Sequence, residues 1–374
     1  MKIIFCCIIS YVLFFSTQSL AERPRPIIEK IQNKLPKNNA SNKVEYLMIT
    51  DPDLDSLEAC EDSLSINSSM PRCDEPLIGL IDKTTSFLSA AIYDIDHPKI
   101  IEALCRASSR GVYVEMIMDE ENAPAFIEEC PCVEKLNLIP YHGTGGSREM
   151  HHKFAIFDKS IVWMGSYNWT CKATYANLNT CFTIRDEHVT DEYMNRFDEL
   201  YICASEGCSR GDYSSTPDGN LIESYFIPGD SFSQNLCYEF EKADTAIDVA
   251  IFYFTEDIVG DCLSAAAHIV PVRVVIDSVA VNNSGSEASK LCDALCHVRS
   301  FPRNDKGGFL HYKQACIDGE VILSGSPNYS ANAEDSNFED YIKIDERSSR
   351  KKQIAEACHE AFEKIWAQSN PVCN

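Results

Sequence analysis

Past residue 20 the chain has no apolar run near the ~20 residues a membrane-spanning helix needs, and no heptad tract. A multispan helical membrane protein and a coiled coil are excluded. Positive charge is scarce: Lys plus Arg number 33 against 57 Asp plus Glu, a net charge of −24. Such a chain does not coat nucleic acid or anionic lipid non-specifically, so an anionic substrate must be held by a local basic site. Paired C-x-x-C motifs are missing, and Cys130-Pro-Cys132 is too tight for an ordinary zinc knuckle. Clustered carboxylates that would hold a cation are missing too, so neither metal nor cofactor is expected. What the chain does have is length, 374 residues, with 45% hydrophobic content. That is too apolar for disorder and enough for two domains or one duplicated domain.

The N-terminus reads as a targeting segment. Lys2 precedes an apolar stretch from Ile3 to Phe15, and Ser19-Leu20-Ala21 supplies small residues for cleavage after Ala21. The expectation is a signal peptide over 1–21 and a polar lead-in over 22–43, with the mature chain secreted or in the secretory lumen. An uncleaved signal anchor is the alternative. Cysteine usage agrees with export: of 18, Cys6 and Cys7 lie in the signal, leaving an even number for structural disulfides. Cys60 with Cys73 and Cys203 with Cys208 are the nearest local pairings; Cys171 and Cys316 read as buried thiols or disulfide partners. Glycosylation sequons stand at Asn39, Asn67, Asn168, Asn282 and Asn328.

An internal repeat organises the chain. His151-His152-Lys153 through Asp158 reads H-x-K-x4-D, and Gly165-Ser166-Tyr167-Asn168 follows. His311-Tyr312-Lys313 through Asp318, then Gly325-Ser326-Pro327-Asn328, repeats it at a constant offset of 160 residues. Apolar strands over 90–95 and 112–119 recur as 249–254 and 270–277. Each half closes with an apolar-periodic helix, 188–203 and 348–367, bearing Phe197/Tyr201 and Phe362/Trp366. Strands alternating with helices argue an α/β sheet layered by helices. The expected organisation is a first half over 44–203, a linker over 204–222 and a second half over 223–374.

Residues two apart on a strand share a face, so His151 and Lys153 point one way and His152 the other; His311, Lys313 and Tyr312 do the same. A hairpin at Asp158-Lys159, and another at Asp318-Gly319, returns Ser166 and Asn168 to His151, and Ser326 and Asn328 to His311. Each half then offers an imidazole, an ammonium, a hydroxyl and an amide on one patch. Two such patches suit phosphodiester cleavage. One neutral His attacks phosphorus covalently, the other moves a proton, and the Lys, Ser and Asn hold the non-bridging oxygens. Asp158 and Asp318 read as scaffold for the turns.

The paired H-x-K-x4-D and G-S-x-N units resemble the phospholipase D superfamily. The stretch from Met150 to Lys159 with Gly165-Ser-Tyr-Asn-Trp-Thr170 is most similar to its cardiolipin hydrolase and small-endonuclease branch. The resemblance covers roughly 75–368. It implies a duplicated fold of two α/β/α sandwich halves with the active site at their interface, a phosphohistidine intermediate, and no cofactor. That branch usually pairs two one-motif chains; both motifs here imply an active monomer. The resemblance also implies a polar residue that orients each catalytic His. By position this is Glu339 for His311 and Asn179 for His151, and a carboxylate beside His311 makes it the general acid/base and His151 the nucleophile.

Two substrates stay open. One is a phospholipid head-group ester, reached by peripheral membrane contact and cut to phosphatidic acid; Met150, Phe309 and Leu310 beside the motifs favour it. The other is single-stranded nucleic acid, for which Arg148, Lys172, Arg303 and Lys306 are the available basic track. An apolar rim would favour the lipid and a positive groove the nucleic acid. A non-enzymatic adhesion protein is disfavoured by two intact motifs. Tyr93, Phe252 and Tyr253 read as core packing.

Overall fold

The computed structural model describes residues 43–50, 52, 57, 60, 72–141, 148–206, 213–216 and 219–373. The expected signal and lead-in up to residue 42, the sequons at Asn39 and Asn67, and Cys208 lie outside the described residues.

The first half runs β1 (Lys43–Met48), α1 (Asp74–Lys83), β2 (Phe87–Ile92), α2 (Pro98–Ser109), β3 (Tyr113–Met118), α3 (Ala123–Glu129), β4 (Asn137–Pro140), β5 (Lys153–Phe157), β6 (Ile161–Gly165), α4 (Cys171–Tyr175), β7 (Thr180–Arg185) and α5 (Glu187–Glu206). The second runs β8 (Ile222–Ile227), α6 (Phe232–Glu241), β9 (Ile247–Ile251), α7 (Asp257–Ala266), β10 (Val272–Asp277), α8 (Ala288–Asp293), β11 (His297–Phe301), β12 (Lys313–Ile317), β13 (Val321–Gly325), α9 (Ala331–Asp335), β14 (Glu339–Asp345), α10 (Gln353–Gln368) and a short β15 (Asn370–Pro371). The sheets are ordered β1-β7-β6-β5-β2-β3-β4 and β8-β14-β13-β12-β9-β10-β11-β15. Apart from β15, the second order is the first with every strand replaced by its repeat, so the duplication read in the motifs extends through the whole fold.

The parallel trio β2, β3 and β4 is joined by α2 and α3, the crossover that parallel strands require. Leu88, Ala90 and Ile92 of β2 pack with Leu77 and Ile81 of α1 and Ile100 and Leu104 of α2. The opposite face of this sheet, with Phe154, Ile156, Val162 and Met164, meets a stripe of α5 at helical spacing: Val189, Tyr193, Phe197 and Leu200. Ile322, Ile342 and Ile344 of the second sheet and Ile354 and Cys358 of α10 join that same cluster. Each sheet is thus covered on both faces, and the two halves share one inner apolar layer.

Both motif hairpins turn through residues with positive φ: Asp158 (47°) and Lys159 (53°), and Asp318 (57°) and Gly319 (63°). Three residues separate the paired ends, Phe157 from Ile161 and Ile317 from Val321, and Ser160 N–H closes on Phe157 O (3.0 Å) as Glu320 N–H does on Ile317 O (2.9 Å). The Asp158 carboxylate accepts the backbone N–H groups of Thr85 (3.0 Å), Ser86 (2.8 Å) and Phe87 (3.0 Å). Asp318 accepts those of Asp244 (2.9 Å), Thr245 (2.7 Å) and Ala246 (3.0 Å). Each motif aspartate therefore ties its hairpin to the start of the neighbouring central strand.

Disulfides join Cys60–Cys171, Cys105–Cys132, Cys237–Cys262, Cys292–Cys373 and Cys316–Cys358. The expected Cys60–Cys73 pairing is corrected: Cys73 is a buried thiol at the start of α1, within the core under the first sheet. Cys60 sits instead in a separate small cluster with Cys171 and Tyr175. Nearness in sequence lost to the packing of α4.

Candidate active site

The two motif histidines lie just before β5 and β12, where the halves exchange backbone hydrogen bonds. His151 N–H donates to Phe338 O (3.0 Å) and Phe338 N–H to Glu149 O (2.9 Å). In the mirrored arrangement His311 N–H donates to Leu178 O (2.9 Å) and Leu178 N–H to Phe309 O (2.8 Å). The approach to each motif strand is thus paired with the residues leading into the other half's β14 or β7.

That exchange overturns the expected partners of the histidines. Glu339 does not orient His311; both its oxygens lie 2.8 Å from Nδ1 of His151. Asn179 does not orient His151; its Oδ1 lies 3.0 Å from Nδ1 of His311. The within-half spacing is the same for both residues, but the crossed backbone ladder carries each one to the opposite histidine. Asn179 is locked by donating its Nδ2 to Ala173 O (2.9 Å) and accepting from Ser166 Oγ (3.1 Å). Its oxygen faces His311, so Nδ1 of that ring carries the proton. Glu339 also accepts from Ser326 Oγ (2.5 Å) and Asn337 Nδ2 (3.1 Å), so this fully buried carboxylate is saturated.

Lys153 and Lys313 are 0% and 2% exposed, and each ammonium donates to the carbonyl oxygen of its own motif histidine, at 2.6 and 3.0 Å. Burial pushes Lys153 down to about 8, with Glu339 and Glu149 opposing the shift. Lys313 is driven well below its ordinary range by burial and by Lys153. His311 is also held well below its ordinary value, by burial and then by Lys313, Lys153 and His151. Glu339 stays ionised, its pKa lowered against burial by His151 and Lys153. The two buried lysines lie in each other's field, with Glu339 and Glu149 facing Lys153 and Glu339 and Asp277 facing Lys313.

Ser166 and Ser326 are fully buried and play two roles. Each hydroxyl bonds its partner, Asn179 or Glu339, and each accepts a backbone N–H, of Thr180 (3.0 Å) and Asp340 (3.0 Å). They orient the groups behind the histidines. The amide oxygens of Asn168 and Asn328 are buried and have no protein partner, so these amides are uncommitted. Gly165 and Gly325 are required sterically: a Cβ at either would overlap the backbone carbonyl of Thr180 or Asp340. His152 faces away from the cleft, bonded to Asp340 Oδ1 (2.7 Å) in the inner layer.

Of the three side chains read as core packing, Tyr253 packs against the second half's core as expected, while Tyr93 and Phe252 line the cleft instead. β2 ends at Ile92 and β9 at Ile251, so Tyr93, Phe252 and Tyr253 lie beyond the sheet and are half-buried. The Tyr93 ring centroid is 5.0 Å from His151, and that of Phe252 is 5.2 Å from His311. Lys153 and Lys313 stand over these same rings at 4.8 and 5.2 Å. Met150 and Leu310 are buried in the core and only Phe309 reaches the cleft. Two further groups were missed. The Asp119 carboxylate accepts Met150 N–H (3.0 Å) and the Asp277 carboxylate accepts Leu310 N–H (2.8 Å), fixing the residue ahead of each motif histidine. Their signal was present: both close repeated apolar strands of the two halves.

The family model described as cardiolipin synthase, PLD-like domain, matches the chain twice, over residues 77–201 and 236–366. The mitochondrial cardiolipin hydrolase of Xenopus tropicalis is 29% identical over 125 residues, 33% of this chain and 59% of that protein. A phospholipase D of Rickettsia conorii is 25% identical over 126 residues, 33% of this chain and 62% of that protein. The chain therefore spans less than two thirds of the length of these curated relatives. The crystal structure of a Haemophilus influenzae phosphatidylserine synthase overlays with a TM-score of 0.63, covering 92% of this chain and 91% of that one at 12% identity, a likeness of fold.

Proposed function

The chain belongs to the phospholipase D superfamily, through the PLD-like domain that both of its halves match, and we propose that it is a phosphodiesterase that hydrolyses a phospholipid head-group ester to phosphatidic acid. Nε2 of His151 attacks phosphorus, the bond from phosphorus to the leaving alkoxide oxygen breaks, and His311 gives that oxygen its proton. His311 then takes a proton from water, the oxygen attacks phosphorus, and the phosphorus–nitrogen bond breaks. With the carboxylate on His151 rather than His311, the ground expected for this assignment is overturned; what carries the assignment instead is the stabilisation of the covalent intermediate by these unequal partners. A ring phosphorylated on Nε2 with a proton on Nδ1 is cationic, and the Glu339 carboxylate at 2.8 Å from His151 Nδ1 stabilises that charge as the aspartate of a hydrolase triad does. Asn179 gives His311 no such stabilisation, so protonated His311 is the stronger acid. Lys153, Lys313, Asn168 and Asn328 bind the non-bridging oxygens.

The lipid reading is supported by the half-buried aromatic rim, Tyr93, Phe252 and Phe309, and by the −24 charge of the chain. Export through the N-terminal segment is part of the proposal, supported by the disulfides. A single-stranded nuclease is the second reading, favoured by Lys172 and Arg303 over the Phe309 ring, where a base and a phosphate could bind. The test is a parallel assay of residues 22–374 on mixed phospholipid vesicles with EDTA and on labelled single-stranded DNA and RNA. Phosphatidic acid release by the native chain, absent in His151→Ala, is expected; oligonucleotide cleavage without lipid turnover contradicts the lipid reading.

A further inference from the structure

We propose that Phe309, Lys172 and Arg303 form the leaving-group side of the cleft and select lipids whose head group carries its own negative charge. The inference rests on the phosphodiesterase reading above and on His311 as proton donor.

The halves build the same backbone around each histidine and then furnish it differently. Two residues before the histidine stands Glu149 in one half and Phe309 in the other. Each has its N–H held by an equivalent amide oxygen, Asn337 Oδ1 (3.2 Å) and Asn177 Oδ1 (2.9 Å). Around His151, Glu149 accepts from Tyr93 Oη (3.2 Å) and Asn337 Nδ2 (3.2 Å), so that side is acidic. Around His311 the side chains are aromatic and cationic. The Phe252 and Phe309 rings lie 4.8 Å apart, Lys172 Nζ stands 4.8 Å from the Phe309 centroid, and the Arg303 guanidinium stands 4.3 Å from it.

The arrangement is held from behind. Lys172 follows the Cys60–Cys171 disulfide. Asn304, next to Arg303, donates to Ala176 O (2.8 Å) at the end of α4, tying the two cation-bearing segments together. Among the described residues neither cation is in an ion pair. The Arg303 charge acts on Asp277, whose carboxylate already accepts the N–H groups of Val279 (2.9 Å) and Leu310 (2.8 Å).

In an in-line displacement the attacking and leaving atoms lie on opposite sides of phosphorus. With His151 attacking, the leaving oxygen sits by His311, and the rest of the head group extends over Phe309. Choline or ethanolamine there would meet two cations. A head group bearing a phosphate would gain two charge-assisted contacts. The same platform could take the next phosphate of an oligonucleotide, but the aromatic rim and the acidity of the chain favour a lipid.

The test uses the mature chain on neutral carrier vesicles containing either phosphatidylcholine or phosphatidylglycerol phosphate, with bis(4-nitrophenyl) phosphate as a soluble diester and single-stranded DNA as a fourth substrate. The native protein is expected to favour the phosphorylated head group by at least about tenfold in kcat/KM, the discrimination of one good charged contact. K172E/R303E is expected to collapse or invert that ratio. K83E/K364E, on exposed helix positions, makes the same change in net charge and is expected to leave the ratio unmoved. Turnover of the soluble diester and of both lipids without head-group preference overturns the inference and leaves the phosphodiesterase reading intact. An equal shift in both double variants also overturns it, assigning the preference to net charge. Preferred cleavage of DNA overturns the lipid assignment of the platform. No turnover of any diester, with His151→Ala indistinguishable from native, overturns the underlying reading instead.

Discussion

At the scale of residues, the division of labour turns on one atom pair, Glu339 against Asn179. The motif residues were readable as a constellation because type, spacing and duplication coincide. Their partners were not, since a within-half spacing shared by both halves carries no information about a crossed backbone ladder. The crossing has a direct consequence. Glu339→Gln removes the charge that stabilises cationic phospho-His151 and is expected to lower kcat by about 10²–10⁴-fold, as loss of a triad carboxylate does. Asn179→Ala leaves the His151–Glu339 hydrogen bond intact and is expected to cost less, with a changed pH profile because His311 loses its tautomer lock. Rate–pH profiles add a second check. Lys153 with a pKa of about 8 is cationic below that pH and neutral above it. His311, held well below its ordinary value, gains its proton only on the acid side of neutrality. kcat/KM is therefore expected to fall as pH rises through about 8 and to climb as pH drops below the ordinary histidine range. A profile rising monotonically to pH 10 contradicts both roles.

At the scale of elements, the hairpins place the chemistry. Asp158 and Asp318 each gather three backbone N–H groups from the start of β2 and β9, and both carboxyls sit below their ordinary pKa because of those bonds. A carboxylate lowered in the folded state contributes stability above its unfolded pKa of about 4, and that stability is lost as pH falls through the folded value. Asp158→Asn is thus expected to destabilise the protein at pH 7 by about 1–3 kcal/mol, a thermal-melting measurement, and to shrink the loss of stability between pH 5 and 2. The turns were legible from Asp-Lys and Asp-Gly. The strand ends were less so: the apolar runs AAIYDI and VAIFYF continue past the sheet because Tyr93 and Phe252 serve the cleft, and an apolar pattern does not distinguish a core side chain from one that packs on a catalytic ring.

At the scale of the molecule, the proposed function asks an acidic chain to hold a phosphodiester, and duplication supplies the means. Each half contributes one buried lysine, and closing the two halves concentrates both at one point, out of reach of the surface acids. Because both motifs lie in one chain, full activity is expected in the monomer, measured as a specific activity that does not change on dilution across a range where light scattering shows one mass. The cysteines divide in the same way. Cys73, Cys130, Cys181 and Cys296 are buried free thiols. Alkylation under native, non-reducing conditions is expected to spare them, and alkylation after unfolding to label them, while the five described disulfides resist until reductant is added. The sequence revealed the even count but not the pairing, because Cys60 and Cys171 meet through a tertiary contact that no local spacing encodes.

The central claim is that two equivalent histidines do unequal work because the halves exchange unequal partners. Acid quenching during turnover of a ³²P-labelled substrate, followed by peptide mapping under conditions that preserve phosphohistidine, tests it directly. Label is predicted in the peptide carrying His151, and it should accumulate in His311→Ala, where attack proceeds and water activation is lost. Label in the peptide carrying His311 would contradict the account, and with it the placement of the leaving group beside Phe309.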